Sequence, residues 1–114
     1  MKRLLLIPLF AILALTSCER LDIAPGVPEC MVEKTKKFNK RLACDDGASV
    51  KEFIFQGKTV YVLSEGNCIA DSGAEVIDSD CNHLGYLGGF VGNIEINGVE
   101  FSPNATLIRT IWEN

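Results

Sequence analysis

The spacing of four cysteines, Cys30, Cys44, Cys68 and Cys81, constrains this chain more than any other feature. A disulfide requires Cα atoms within about 7 Å, so each element drawn between two cysteines decides which pairs can close. Pro28 suits the first turn of a helix, where its missing N–H costs nothing. Glu29 beside it favours the positive end of the helix dipole. Met31, Thr35, Phe38 and Leu42 recur at helical spacing. Lys36, Lys37, Lys40 and Arg41 gather towards the carboxyl end, where cations are favoured. These signals predict a helix over 28–42. It would separate Cys30 from Cys44 by about 21 Å at the helical rise, which excludes a bridge between them.

Downstream, the β-branched and aromatic residues from Ser49 to Ser64 flank Gln56-Gly57 and predict a hairpin. With Gln56 and Gly57 as the loop, Phe53 opposes Val60. Phe53, Phe55, Val60 and Val62 then share one face, and Val50, Ile54, Tyr61 and Leu63 the other. The same register brings Cys44 and Cys68 out side by side, which favours Cys44–Cys68 and leaves Cys30–Cys81. Both faces are apolar, so each must be covered. The helix covers one. The β-rich segment Ala105–Glu113 supplies a third strand. The stretch Ile94–Phe101 is either a second small hairpin around Asn97-Gly98 or an irregular loop that delivers Phe101 to the core. The expected fold class is α+β: one amino-terminal helix packed on a short antiparallel sheet, with glycine-rich loops and two disulfides.

The first residues obey different rules. Lys2 and Arg3 precede an apolar run from Leu4 to Leu15, too short for the roughly 20 residues of a membrane span. Leu15-Thr16-Ser17-Cys18 follows: a large aliphatic residue, two small ones and a cysteine. This resembles the bacterial lipoprotein signal, the alternative being an ordinary secretory signal with a chance cysteine. The resemblance implies that the Cys18 thiol receives a diacylglycerol and that cleavage makes Cys18 the first residue. Acyl chains anchor durably because each buried CH₂ contributes about 0.8 kcal/mol. The expected organisation is a signal segment over 1–17, a lipidated tether over 18–26 containing Pro25-Gly26, and one domain over 27–114. Removing the signal lowers the formal charge from −4 to −6. An even number of cysteines in so small an exported domain suits a disulfide framework. A chain of 114 residues leaves no room for a dinucleotide domain with a substrate domain beside it.

Candidate sites carry weaker signals. Asp78, Asp80 and Asn82 alternate like the opening of a calcium loop, with Asp71 and Glu75 upstream. His83 stands where the loop's glycine belongs and Gly89 where its glutamate belongs, so turn hydrogen bonding is the competing reading. The glycine-rich stretch Gly85–Gly92 lacks the lysine and following helix of a phosphate cradle. Its apolar residues Tyr86, Leu87, Phe90 and Val91 either form an exposed contact patch or cap the second face of the hairpin; burial is the preferred reading. His83 is the sole histidine, and Ser72 or Ser79 near it lacks any nucleophile-elbow context. The basic cluster Lys34, Lys36, Lys37, Lys40 and Arg41 reads as a solvated helix face rather than a phosphate or lipid-headgroup site.

Taken in order, the lipobox, Val27-Pro28-Glu29-Cys30, Phe55-Gln56-Gly57-Lys58-Thr59-Val60-Tyr61, Asp78-Ser79-Asp80-Cys81-Asn82, Gly88-Gly89 and Ile111-Trp112-Glu113 resemble a group of small lipoproteins from Bacteroidota whose domain has no assigned function. The resemblance spans about residues 27 to 114 and implies no activity. This chain departs from the group in lacking cysteines around Gly88-Gly89 and near Phe101, so the group's disulfide pairing is not carried over. The expectation is a non-enzymatic, lipid-anchored envelope protein at the outer membrane. It would be held to the membrane through acylated Cys18, without a cofactor, and would bind an envelope or extracellular protein or ligand, not nucleic acid. A calcium-dependent module using Asp78, Asp80 and Asn82 and an exported inhibitor-like domain are the alternatives.

Overall fold

The computed structural model describes residues 21–68 and 72–114. The Leu15–Cys18 box and Asp71 lie outside them.

Helix α1 spans Glu29–Arg41, with Pro28 at its N-cap and Lys40 and Arg41 in its last turn. Met31, Thr35 and Phe38 are buried as the helical spacing predicts. Leu42 is not: it forms the C-cap and is 56% exposed. The stripe ends a turn early because the chain leaves the helix there, and the Leu42 and Ala43 N–H groups both close on the Phe38 carbonyl.

The sheet is antiparallel and has five strands rather than three, in the order β4 (His83–Gly88), β3 (Gly73–Asp78), β2 (Lys58–Ser64), β1 (Ser49–Phe55) and β7 (Ala105–Glu113). Strands β1 (Ser49–Phe55) and β2 (Lys58–Ser64) pair in the predicted register, Phe53 opposite Val60. Gln56 and Gly57 both take positive φ, 54° and 75°, as a two-residue hairpin loop of this hand requires. Strand β7 (Ala105–Glu113) lies on the outer side of β1. On the other side β3 (Gly73–Asp78) pairs with β2, and β4 (His83–Gly88) pairs with β3. Part of the stretch read as a glycine-rich loop is therefore strand. The segment around Asn97-Gly98 forms a hairpin of its own, β5 (Glu95–Ile96) and β6 (Val99–Glu100). It also buries Phe101, so both features of the two readings for this segment occur together.

Each sheet face has its core. On one face Met31 and Phe38 of α1 pack on Val50, Tyr61, Leu63, Ile77, Ile111 and Trp112. The Phe38 and Trp112 rings meet edge to face at 6.2 Å. On the other, Ile96 and Phe101 close over Phe55, Val60 and Val76, with Phe53, Val62, Leu84 and Leu87 at the margin.

The disulfides hold α1 at both ends. Cys30–Cys81, with Cα atoms 6.2 Å apart, joins its first turn to the β3–β4 turn. Cys44–Cys68, at 5.6 Å, joins the segment after it to the segment after β2. Closing loops of 51 and 24 residues contributes about 3–4 kcal/mol each through the unfolded chain, which matters in a domain with two small cores.

Candidate functional site

The candidate residues from Asp78 to Phe90 lie on the β3–β4 hairpin, but at its two opposite ends. At one end, Asp78 Oδ1 accepts the N–H groups of Asp80 and Asn82, both at 2.9 Å, and Oδ2 accepts the Asn82 amide at 3.3 Å. The Asn82 backbone N–H is the chief cause that holds the Asp78 carboxyl below its ordinary pKa. Asp78 and Asn82 thus come together, as a turn whose oxygens face its own N–H groups, and Cys81 takes φ 66° within it. Among the described residues no group of three or more His, Cys, Asp or Glu side chains gathers as a metal site.

Next along the hairpin, Glu75 sits between His83 and Lys34. Its Oε2 is 2.9 Å from His83 Nδ1 and its Oε1 is 3.5 Å from Lys34 Nζ. The serine hydroxyls near His83 in sequence turn elsewhere: Ser79 donates to the Thr59 carbonyl and Ser72 to that of Gly66.

At the far end, β4 runs out through Gly88 into a closed turn. Gly88 and Asn93 exchange N–H···O bonds at 2.8 and 3.2 Å, and the Gly92 N–H closes on the Gly89 carbonyl at 3.2 Å. That last bond puts Phe90 and Val91 at the corners of a β-turn. Gly88, Gly89 and Gly92 all take positive φ, between 65° and 74°, a backbone only glycine adopts without strain. The Asn93 side chain ties the turn down by donating to the carbonyls of Tyr86 and Glu95.

This turn separates the four apolar residues of the stretch. Leu87 faces the second core. Tyr86 points to the helix side, where its hydroxyl donates to Glu65 Oε2 at 2.6 Å. That bond, then burial, pushes the phenol up to about 12. Phe90 and Val91 remain 87% and 82% exposed. The preferred burial reading thus holds in part for Leu87; it fails for Tyr86, 41% exposed, and for Phe90 and Val91, because Ile96 and Phe101 already close the second core. Ile94, which sequence reasoning did not single out as a contact residue, is 57% exposed beside the turn. Its place four residues after Phe90, flanking an Asn-Gly turn, held the available signal.

Sequence reasoning also missed the amino-terminal strap. Residues 21–27 are tied to β7 at two points: the Ala24 N–H bonds the Ile111 carbonyl at 2.9 Å, and the Pro25 carbonyl accepts from Arg109 Nη1 at 2.8 Å. Arg109 Nε in turn bonds Glu52 at 2.9 Å. Leu21, Ile23, Ala24 and Val27 pack against the helix-side core, so the segment expected as tether is partly built into the domain from Leu21 on.

Residues 36–114, more than two thirds of the chain, match the family described as a domain of unknown function, DUF6970. The chain belongs to this family. The matched part holds every strand among the described residues, the Cys44–Cys68 bridge and the Gly88–Gly92 turn, while Cys30 lies ahead of it. No curated protein and no solved structure matches the chain. Among the described residues no helix is long and apolar enough to cross a membrane.

Proposed function

We propose that this chain is a lipid-anchored cell-envelope protein, held at the outer membrane through acylated Cys18, whose domain is a non-enzymatic binding module. The observation that carries the anchor is the Leu15-Thr16-Ser17-Cys18 box behind a basic start and a short apolar run. Binding rather than catalysis is supported by where the reactive side chains are spent. Four cysteines are in disulfides, Asp78 serves its turn, and His83 is held by Glu75. A large aromatic and a β-branched residue stand in solvent on a glycine-built turn, where exposed apolar surface marks contact sites.

Intact-mass analysis of the membrane-extracted protein tests the anchor. A diacylglycerol adduct on an amino-terminal Cys18 is expected, and Cys18→Ala should release the domain from the membrane fraction. An unmodified amino terminus elsewhere would refute the reading. The calcium-dependent alternative would need Asp78 to give up its turn bonds. Titration with calcium separates the two: a rise in melting temperature would favour it.

A further inference from the structure

Two features meet at one end of the sheet. Gly88 at the end of β4 pairs with Gly73, and Ala74 beside Gly73 pairs with Ser64. Ser64 pairs with Ser49, and Ser49 with Glu113. The Phe90–Val91 turn, just beyond Gly88, therefore shares a sheet end with the carboxyl end of β7. The amino-terminal strap heads for the same end. Followed backwards, it passes the Arg109 side chain at Pro25 and the Ile111 carbonyl at Ala24, in the direction of Glu113, and then turns at 21–23, where the Ile23 N–H closes on the Leu21 carbonyl. Cys18 stands three residues before Leu21, a reach of no more than about 11 Å for a fully extended chain. An acyl chain on Cys18 thus holds this end of the domain close to the bilayer.

We infer that Phe90 and Val91 insert into the headgroup region of the same bilayer, making the lipid surface the partner of the exposed turn. This rests on the acylation of Cys18 proposed above. The chemistry of the end fits lipid. Leu42, 56% exposed, closes α1 there, since the Cys44 N–H bonds the Glu65 carbonyl just past β2. Lys40 and Arg41 in the last helical turn face phosphate oxygens with their stems along apolar surface. Asp45, Asp46, Glu65 and Glu113 at the same end offset those cations, so apolar insertion rather than net charge drives the contact. It therefore persists in high salt. The paired glycines give Phe90 and Val91 a preformed turn, so little ordering cost opposes insertion. Two attachments, one lipid and one protein, fix the orientation of the domain where a lipid alone leaves it free to tumble.

The test uses the full-length acylated protein in vesicles of phosphatidylethanolamine and phosphatidylcholine, with brominated acyl chains as quenchers. Phe90→Trp adds a reporter at the turn, with Val91→Trp as a second position. Gln56→Trp does the same at the opposite sheet end, over the background of buried Trp112. The expected result is a blue-shifted emission quenched by bromolipid for Phe90→Trp and Val91→Trp, unchanged in high salt, with Gln56→Trp unquenched. An acylated protein whose turn reporters stay unquenched overturns the insertion and leaves the anchor standing. A protein without a lipid adduct on Cys18 overturns both.

Discussion

Gly73 lies directly against the ring of Tyr86: a Cβ at Gly73 would stand 2.7 Å from Tyr86 Cε2, 2.6 Å from the Leu87 carbonyl oxygen and 2.9 Å from the Gly89 nitrogen. Two of those three neighbours are backbone, so the site cannot yield by turning a side chain. Gly73→Ala is expected to destabilise the domain by about 1–3 kcal/mol through overpacking. It should also displace the root of the Phe90–Val91 turn. Denaturant unfolding measures the first effect; faster amide exchange at Gly88 and Asn93 reports the second. Wild-type stability in this variant would refute the close approach.

Glu52 and Arg109 join the sheet to the strap. Their 2.9 Å contact is largely withdrawn from solvent on the Glu52 side, where the side chain is 14% exposed, against 35% for Arg109. Removing the carboxylate leaves the guanidinium with its Pro25 partner alone. Glu52→Ala should cost about 1–2 kcal/mol, between the ~1.5–3 kcal/mol of a bond to a charged group and the ~0.2–1 kcal/mol of an exposed ion pair. It should also loosen the strap, seen as faster proteolysis near Pro25. Unchanged cleavage would show that apolar packing by itself retains the segment.

Thr35 sits at 0% exposure on the buried side of α1, and its hydroxyl oxygen has no hydrogen-bond partner among the described residues. An unsatisfied buried hydroxyl costs about 1–3 kcal/mol. Valine keeps the shape and removes the oxygen. Thr35→Val is expected to raise stability by about 1 kcal/mol, read as a higher urea midpoint with an unchanged slope.

Both tyrosines titrate late. The Glu65 bond and burial carry Tyr86 to about 12. Burial, then the charge of Glu52, raises Tyr61, with Arg109 working the other way. A folded-state pKa above the unfolded value of about 10 means that the neutral phenol stabilises the fold. That contribution is complete below about pH 10 and is lost as pH climbs through the folded value. Phenolate absorbance should therefore lag that of the unfolded chain, with stability falling above about pH 10. Glu65→Gln should bring the Tyr86 titration back towards its ordinary value. No lag in the wild type would refute the Tyr86–Glu65 bond.

What the sequence by itself determined is local or follows from local geometry. Pro28, Glu29 and the Met31–Phe38 spacing specify a helix, because helical periodicity and capping act within a few residues. Gln56-Gly57 pins the β1–β2 register, because a two-residue loop permits only one pairing. The disulfides follow from the two together: the helix is too long for one pairing and the register too close to miss another. Even the exclusions were local, since a missing glycine and glutamate around Asp78–Gly89 are visible without coordinates.

The tertiary structure decided what covers each face. Strand β4 carries Gly85 and Gly88, which bear no side chain to signal a strand. It forms because β3 offers a free row of backbone N–H and C=O groups, and Gly85 leaves room for the tip of the Ile96 side chain, whose Cδ1 would stand 2.7 Å from a Cβ there. Val76 and Ile77, both fully buried, face opposite cores, so β3 lacks the alternation that marks a strand with one wet face. Phe90 was legible as a candidate but not as an exposed one. Four large apolar residues in a glycine-rich stretch read more readily as core than as contact surface. Only the filling of the second core by Ile96 and Phe101 leaves Phe90 and Val91 outside. Core volume is a property of the whole packing, which no local pattern encodes.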